Sequence, residues 1–303
     1  MLILGRSSIR LIKNLKSPLP IAICKVNPPS IQTTIRFYTM SEPSSKRVKT
    51  EEEQEPYELI YWAGIPGRGE HIRLAFEEAG VPYVDTAHLK NGINTVLSQI
   101  DTKNLGSSSN PPPLAPPILK HGSLVINQTS NILLYLGERL GLVPSRAEDE
   151  FAVYKVNELA LTALDGLSNE AHDCHHPIAT GLYYEDQKTE AKRKSADYIA
   201  NRLPKFLGYF ERVLKSESSK GGEYLYGGNL TYADLVLWQC VDGLRFAFPK
   251  AMGRLEREEA HRGVFELCER VQGKERIKTY LESERRQKYS MGIYRHYPEL
   301  DEE

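Results

Sequence analysis

Two prolines standing directly before a β-prone run, Pro116-Pro117 ahead of Ile118-Leu119, restrict this chain more than any other feature. A proline has no N–H to give to a strand ladder, so the pair cannot serve as ordinary paired residues. Pro117 marks a fixed turn and is a candidate for a cis bond. Eleven residues after Pro117 come Gln128-Thr129-Ser130 and a helical run. Amide and hydroxyl side chains at such a helix start, together with its unpaired N–H groups and positive dipole end, make a site for a carboxylate. The segment predicts a small anion-holding pocket beside a rigid bend.

The apolar periodicity assigns elements on either side. Tyr57-Glu58-Leu59-Ile60-Tyr61-Trp62, bounded by Gly64, Pro66 and Gly67, reads as a strand ending in a loop. A helix is expected over 70–79, with Gly80 as its stop, and a short second strand over 82–86. The segment 90–110 reads as an irregular loop that runs into Pro111-Pro112-Pro113. A hairpin centred on His121-Gly122 follows, then a helix over 131–140. Beyond Pro144 the strand signals stop. Val153, Val156, Ala160, Ala163 and Leu167 recur at helical spacing, as do Ile199, Leu203, Phe206, Phe210 and Leu214, with Pro204 expected to kink or split the second run. Thr231 and Asp234 form a capping-box variant at the head of a helix bearing Leu237, Cys240, Val241 and Leu244. The order β-α-β, β-β-α, then helices alone describes a small α/β domain followed by an all-α one.

Charge and cysteine content narrow the class. The net charge of -1 supplies no excess of Lys and Arg to displace counterions, which argues against a nucleic-acid partner, and no apolar stretch approaches the ~20 residues of a membrane span. Residues 1–39 hold Arg6, Arg10, Lys13, Lys16, Lys25 and Arg36 and no acid, with Leu and Ile at helical spacing. This is the composition of a mitochondrial targeting leader, and it predicts a matrix location. Met40 offers a second start that would give a cytoplasmic form. Residues 40–56, with Glu51-Glu52-Glu53, read as a disordered acidic linker. Cys24, Cys174, Cys240 and Cys268 contain no C-x-x-C pair, so neither a disulfide framework nor a dithiol redox motif is present.

Over residues 57–280 the chain resembles the soluble glutathione S-transferases. The match is carried by Tyr61-Trp62, by Gly67-Arg68-Gly69-Glu70 with Ile72-Arg73, by Pro116-Pro117-Ile118-Leu119, by Gln128-Thr129, by Tyr135-Leu136-Gly137 and by Leu230-Thr231-Tyr232-Ala233-Asp234. The resemblance implies an α/β thioredoxin-like N-terminal domain (57–143) that binds glutathione, then an all-α C-terminal domain (150–285) and a tail (286–303). It also implies a homodimer and an electrophilic small molecule as second substrate. In it Tyr61 is the catalytic hydroxyl, and Arg68, Pro116, Pro117, Gln128 and Thr129 belong to the glutathione site. The loop after Tyr61 is one residue longer than the tyrosine-type pattern, and Thr129 stands where serine is commoner. The long 90–113 segment leaves Lys90 and Lys103 as unaligned candidates for the glycine end of the peptide.

The chemistry fits these residues. Conjugation needs a thiolate at neutral pH, and lowering a thiol pKa of about 8.5 by two units amounts to about 2.7 kcal/mol. One well-aimed hydroxyl with nearby backbone dipoles is of that size. No cysteine lies between Cys24 and Cys174, which makes the tyrosine-type class the expectation over cysteine-type branches, because the reactive sulfur must arrive with the co-substrate. A glutathione transferase acting in detoxification is the first function expected. The others are a non-catalytic glutathione- or protein-binding regulator and a glutathione-dependent peroxidase or isomerase. His172, His175 and His176 before Pro177 suit a helix C-terminus or the wall of an electrophile pocket. They lack the glutamate of a zinc-protease helix, so no metal is expected.

Overall fold

A computed structural model describes residues 55–302; the leader expected at 1–39 and all but the last residues of the expected linker lie outside them. Strand β1 (Tyr57–Ile60) leads through a 3-10 turn at Gly67–Gly69 into α1 (Glu70–Ala79). Gly80 ends α1 in the left-handed region, φ +67°, and its N–H and that of Val81 reach back to Glu77 and Phe76. That conformation costs a residue without Cβ nothing. Strand β2 (Tyr83–Asp85), α2 (Gly92–Gln99), the hairpin β3 (Ile118–His121) and β4 (Leu124–Asn127), and α3 (Thr129–Arg139) complete the α/β part.

The strands form one mixed sheet in the order β2-β1-β3-β4, with β1 parallel to β2 and antiparallel to β3. Successive side chains alternate between its faces. Leu59 and Leu119 therefore enter the main core with Ile72 and Phe76 of α1 and Ile132 and Leu136 of α3, while Ile60 and Ile118 meet Val96 of α2 on the other side. This is the thioredoxin-like arrangement. Helix α2 corrects the expectation of an irregular loop across 90–110. Its apolar side is narrow, since Val96 is buried while Ile93 and Leu97 are exposed.

The helical part runs α4 (Ala152–Ala163), a π-turn at Leu164–Asn169, α5 (Glu170–Asp173), α6 (Lys188–Asp197), a second π-turn at Tyr198–Arg202 and α7 (Leu203–Leu214). It continues through α8 (Tyr232–Ala247), α9 (Pro249–Leu255), α10 (Arg262–Gln272) and α11 (Glu275–Leu281). Pro204 sits in the first turn of α7, directly after the second π-turn, where its missing N–H breaks no i to i−4 bond. The widened turn is the expected split. Helix α8 is buried on nearly every side, as suits the centre of a bundle, and both bonds of the Thr231–Asp234 capping box are made. In the tail, Ile293 and Tyr294 are buried in the core and Tyr297 stacks on Tyr184 with ring centroids 3.8 Å apart.

Candidate functional site

The register of the sheet gathers most of the expected site. Ile60 pairs with Ile118, and Ile118 with Asn127. The next residues outward, Tyr61, Pro117 and Gln128, therefore stand at one common end of three adjacent strands. With about 4.8 Å between strands the row is about 10 Å long. An extended tripeptide spans about the same length.

At one end of that row Tyr61 is only 5% exposed. Its ring lies on the backbone of Gly67–Gly69, so closely that a Cβ on Gly67 would stand 2.2 Å from the phenol oxygen and one on Gly69 2.7 Å from the ring. That oxygen accepts the backbone N–H of Arg68 at 2.7 Å, a bond that occupies a lone pair and leaves the proton free to donate. Burial pushes the phenol's pKa up, against the Arg68 N–H and the guanidinium charges of Arg68 and Arg73. Tyr61 is thus a protonated donor at neutral pH.

The turn that carries this arrangement is tied down by groups that sequence reasoning did not single out as site residues. Arg73 donates to the Pro66 carbonyl at 3.1 Å and forms ion pairs with Glu70 at 3.1 Å and Asp85 at 2.6 Å. Glu70, fully buried, also accepts the hydroxyl of Tyr280 at 2.7 Å and pairs with Arg286, which reaches Asp242 at 2.9 Å. The two arginines hold the Glu70 carboxyl below its usual range despite its burial. The i, i+3 spacing of Glu70 and Arg73 was the visible signal; their partners in α8, α11 and the tail were not. Arg68 sends its guanidinium to Asn169 Oδ1 at 2.8 Å, so it bridges to the helical domain while its backbone serves Tyr61.

In the middle of the row the Pro116–Pro117 bond is cis, with Pro117 buried. Pro116 has no N–H, so its backbone offers an extended peptide one acceptor and no donor. At the far end Gln128 precedes α3 with φ +72° and no side-chain cap, a conformation uncommon for a residue with a Cβ. Thr129 Oγ1 is buried without a hydrogen-bond partner. An uncapped helix start beside an unsatisfied hydroxyl is a cradle for an anion. Lys103 lines a separate cavity of about 620 Å³ with Asn104, Asn110 and Lys120, and Lys90 is exposed. A larger cavity of about 1030 Å³ opens beside Gly64 and is lined by Trp238, Asp242, Phe246, Arg286 and Tyr289.

The described cysteines, Cys174, Cys240 and Cys268, are buried, and burial pushes the thiols of Cys240 and Cys268 up to about 12 and that of Cys174 higher still. They are inert at neutral pH. His172, His175 and His176 come together, with ring centroids 4.7–5.2 Å apart.

Residues 172–284 match the family model described as Glutathione S-transferase, C-terminal domain. A glutathione S-transferase of Plasmodium falciparum is 26% identical over 207 residues, covering 67% of this chain and 87% of its own length. Glutathione S-transferase Mu 2 of Rattus norvegicus is 26% identical over 231 residues, covering 76% and 92%. Among solved structures, the Pi-class glutathione S-transferase of Onchocerca volvulus superposes with a TM-score of 0.54 at 20% identity, covering 75% of this chain and 92% of that one. The glutathione S-transferase of Ascaris lumbricoides gives 0.52 at 24%, covering 75% and 96%. At those identities the structures speak for the fold alone.

Proposed function

We propose that the chain, which is similar to glutathione S-transferases, is a glutathione transferase that joins the sulfur of glutathione to electrophilic small molecules. The observation that carries this is the common strand end shared by Tyr61, Pro117 and Gln128, with a free phenol proton at one side and an unsatisfied hydroxyl beside a bare helix start at the other. The γ-glutamyl carboxylate sits on the first N–H groups of α3 and on Thr129, and the Pro116 carbonyl pairs with the cysteinyl N–H. The sulfur then falls at Tyr61.

There the phenol donates to the thiolate, and a hydrogen bond to a charged group contributes about 1.5–3 kcal/mol. The 2.7 kcal/mol or so needed to lower the thiol pKa by two units lies inside that range. The thiolate's lone pair attacks the electrophilic carbon and the leaving group departs with its electron pair. Holding both substrates in contact supplies much of the rest of the acceleration. Pairing of two chains is part of the proposal, supported by the exposed side chains of Phe151, Tyr154 and Leu161 along the start and flank of α4. A matrix location, supported by the composition of residues 1–39, is part of it as well.

Calorimetry with reduced glutathione and turnover of a chloronitrobenzene test it together. The expected result is saturable binding and conjugation in the wild type, with Thr129→Val weakening glutathione by roughly 10- to 150-fold, the size of one hydrogen bond to a charged group. Absence of glutathione binding ends the proposal, and binding without turnover of any electrophile replaces it with a glutathione-binding regulator.

A further inference from the structure

His172, at the end of α5, and His175 and His176, in the turn before Pro177, present three ring nitrogens that all lie within 4.8 Å of one another. Around a tetrahedral zinc-class ion, with bonds of 2.0–2.1 Å, such nitrogens stand about 3.4 Å apart. Binding would draw the nitrogens together by up to about 1.4 Å. The geometry points to a three-histidine site for a divalent transition-metal ion, open at a fourth position. It stands apart from the proposed transferase activity and uses none of the same side chains.

The tautomer of His175 is the strongest support. His175 is 2% exposed, and its Nε2 lies 2.9 Å from the carbonyl oxygen of Ile293, which can only accept. Nε2 therefore carries the proton, and Nδ1 is left with a lone pair. That Nδ1 is buried and has no hydrogen-bond partner. A buried acceptor left unpaired is costly, and a metal ion is a partner its lone pair suits. An imidazole whose second nitrogen is fixed by a backbone carbonyl is also the usual form of a metal-bound histidine.

His176 is held by Gln187, whose Oε1 accepts the N–H of Ile178 at 2.9 Å and that of Ala179 at 3.4 Å. The two amide hydrogens of Gln187 go to the carbonyls of Ala179 at 3.0 Å and Leu182 at 3.2 Å. Gln187 Nε2 also lies 3.2 Å from His176 Nδ1, a third acceptor that shares its two hydrogens and orients the ring. His172 and His176 are half-buried, so an ion can reach the cluster.

The surroundings define the ligand further. Arg68 and Arg295 bring positive charge near His172, and Arg295 brings it near His175 and His176, while the Asp173 carboxylate lies 3.9 Å from His172 Nδ1. Positive charge around a dication favours an anion over water at the open position. Imidazole donors and the absence of thiolate select zinc, cobalt, nickel or copper over magnesium and calcium.

The test uses the full chain carrying no polyhistidine tag, stripped with a chelator and titrated with Co²⁺ by visible absorption and with Zn²⁺ by calorimetry. The expected result is one equivalent per chain and the intense d–d bands of a four- or five-coordinate nitrogen site. His172→Gln and His176→Gln, both at half-buried positions, should keep the far-UV circular dichroism and weaken binding by more than the 10–100-fold that loss of an outer partner costs. No saturable binding in the wild type overturns the site. Binding unchanged in a His172→Gln, His175→Gln, His176→Gln chain overturns it equally.

Discussion

Gly67→Ala adds one methyl group to the turn under Tyr61, and the structure sets its effect. The new Cβ would stand 2.2 Å from the phenol oxygen, 2.8 Å from Cε1 and 2.9 Å from Cζ. Non-bonded heavy atoms settle near 3.5 Å or beyond, so the hydroxyl must retreat by about 1 Å. A displacement of about 1 Å at a reacting group costs about 100-fold in rate. The backbone adds a separate cost, since Gly67 has φ +49° and an alanine held there loses about 1–2 kcal/mol of stability.

Gly64 separates the two effects. It has φ +80° in the same loop, and a Cβ built on it meets nothing within 4 Å. Gly64→Ala should therefore lose similar stability in urea unfolding while keeping kcat/KM for chloronitrobenzene within about threefold. Gly67→Ala should lose about 100-fold. If the loss comes through the phenol, adding Tyr61→Phe to Gly67→Ala should change the rate little further, a non-additive cycle between contacting groups. Equal losses in the two alanine variants, or full additivity with Tyr61→Phe, would refute the placement of the hydroxyl.

Two further outcomes concern stability. The buried Asp234 carboxylate accepts Leu225 N–H at 2.8 Å, Thr231 N–H at 2.7 Å and the Thr231 hydroxyl at 2.8 Å, so Asp234→Ala strands three donors and should cost about 3–6 kcal/mol by urea unfolding; a loss under about 1 kcal/mol would contradict the capping assignment. His71 is fully buried with both ring nitrogens unpartnered, and burial holds its pKa at about 3. Below about pH 6.5 the unfolded chain takes up a proton that the folded chain refuses, so stability falls as pH drops from there. His71→Leu should flatten the slope between pH 6.5 and 5 by up to about 1.4 kcal/mol per pH unit, and an unchanged slope would show that His71 does not titrate as described.

What the sequence revealed was chemistry closed within a few residues. The cis bend at Pro116-Pro117, the glycine stop of α1 at Gly80, the hairpin at His121-Gly122 and the Thr231–Asp234 box each depend on neighbours in the chain, and each is present. Helix α2 was missed because it buries little: Ile93, Val96, Leu97 and Ile100 do recur at helical spacing, but Asn91 gives no side-chain cap and the flanking serine- and proline-rich segment masks the period. The first π-turn was unreadable for another reason, since a single widened turn shifts the register of an apolar stripe without changing residue type, whereas Pro204 marked the second. Contacts of long sequence separation were beyond reach. Nothing local to Arg68 names Asn169, nothing near Glu70 names Tyr280, and nothing near His175 names Ile293. For the histidines, only the tail's carbonyl fixes the tautomer on which the proposed metal site rests.

In the proposed mechanism the Tyr61 hydroxyl stabilises the thiolate of bound glutathione. The ultraviolet absorption of that thiolate, titrated against pH in the enzyme–glutathione complex of the wild type and of Tyr61→Phe, measures it directly. The expected apparent thiol pKa is about two units below the free value of about 8.5 in the wild type, returning most of the way in Tyr61→Phe while glutathione stays bound. The same thiol pKa in both proteins would contradict it.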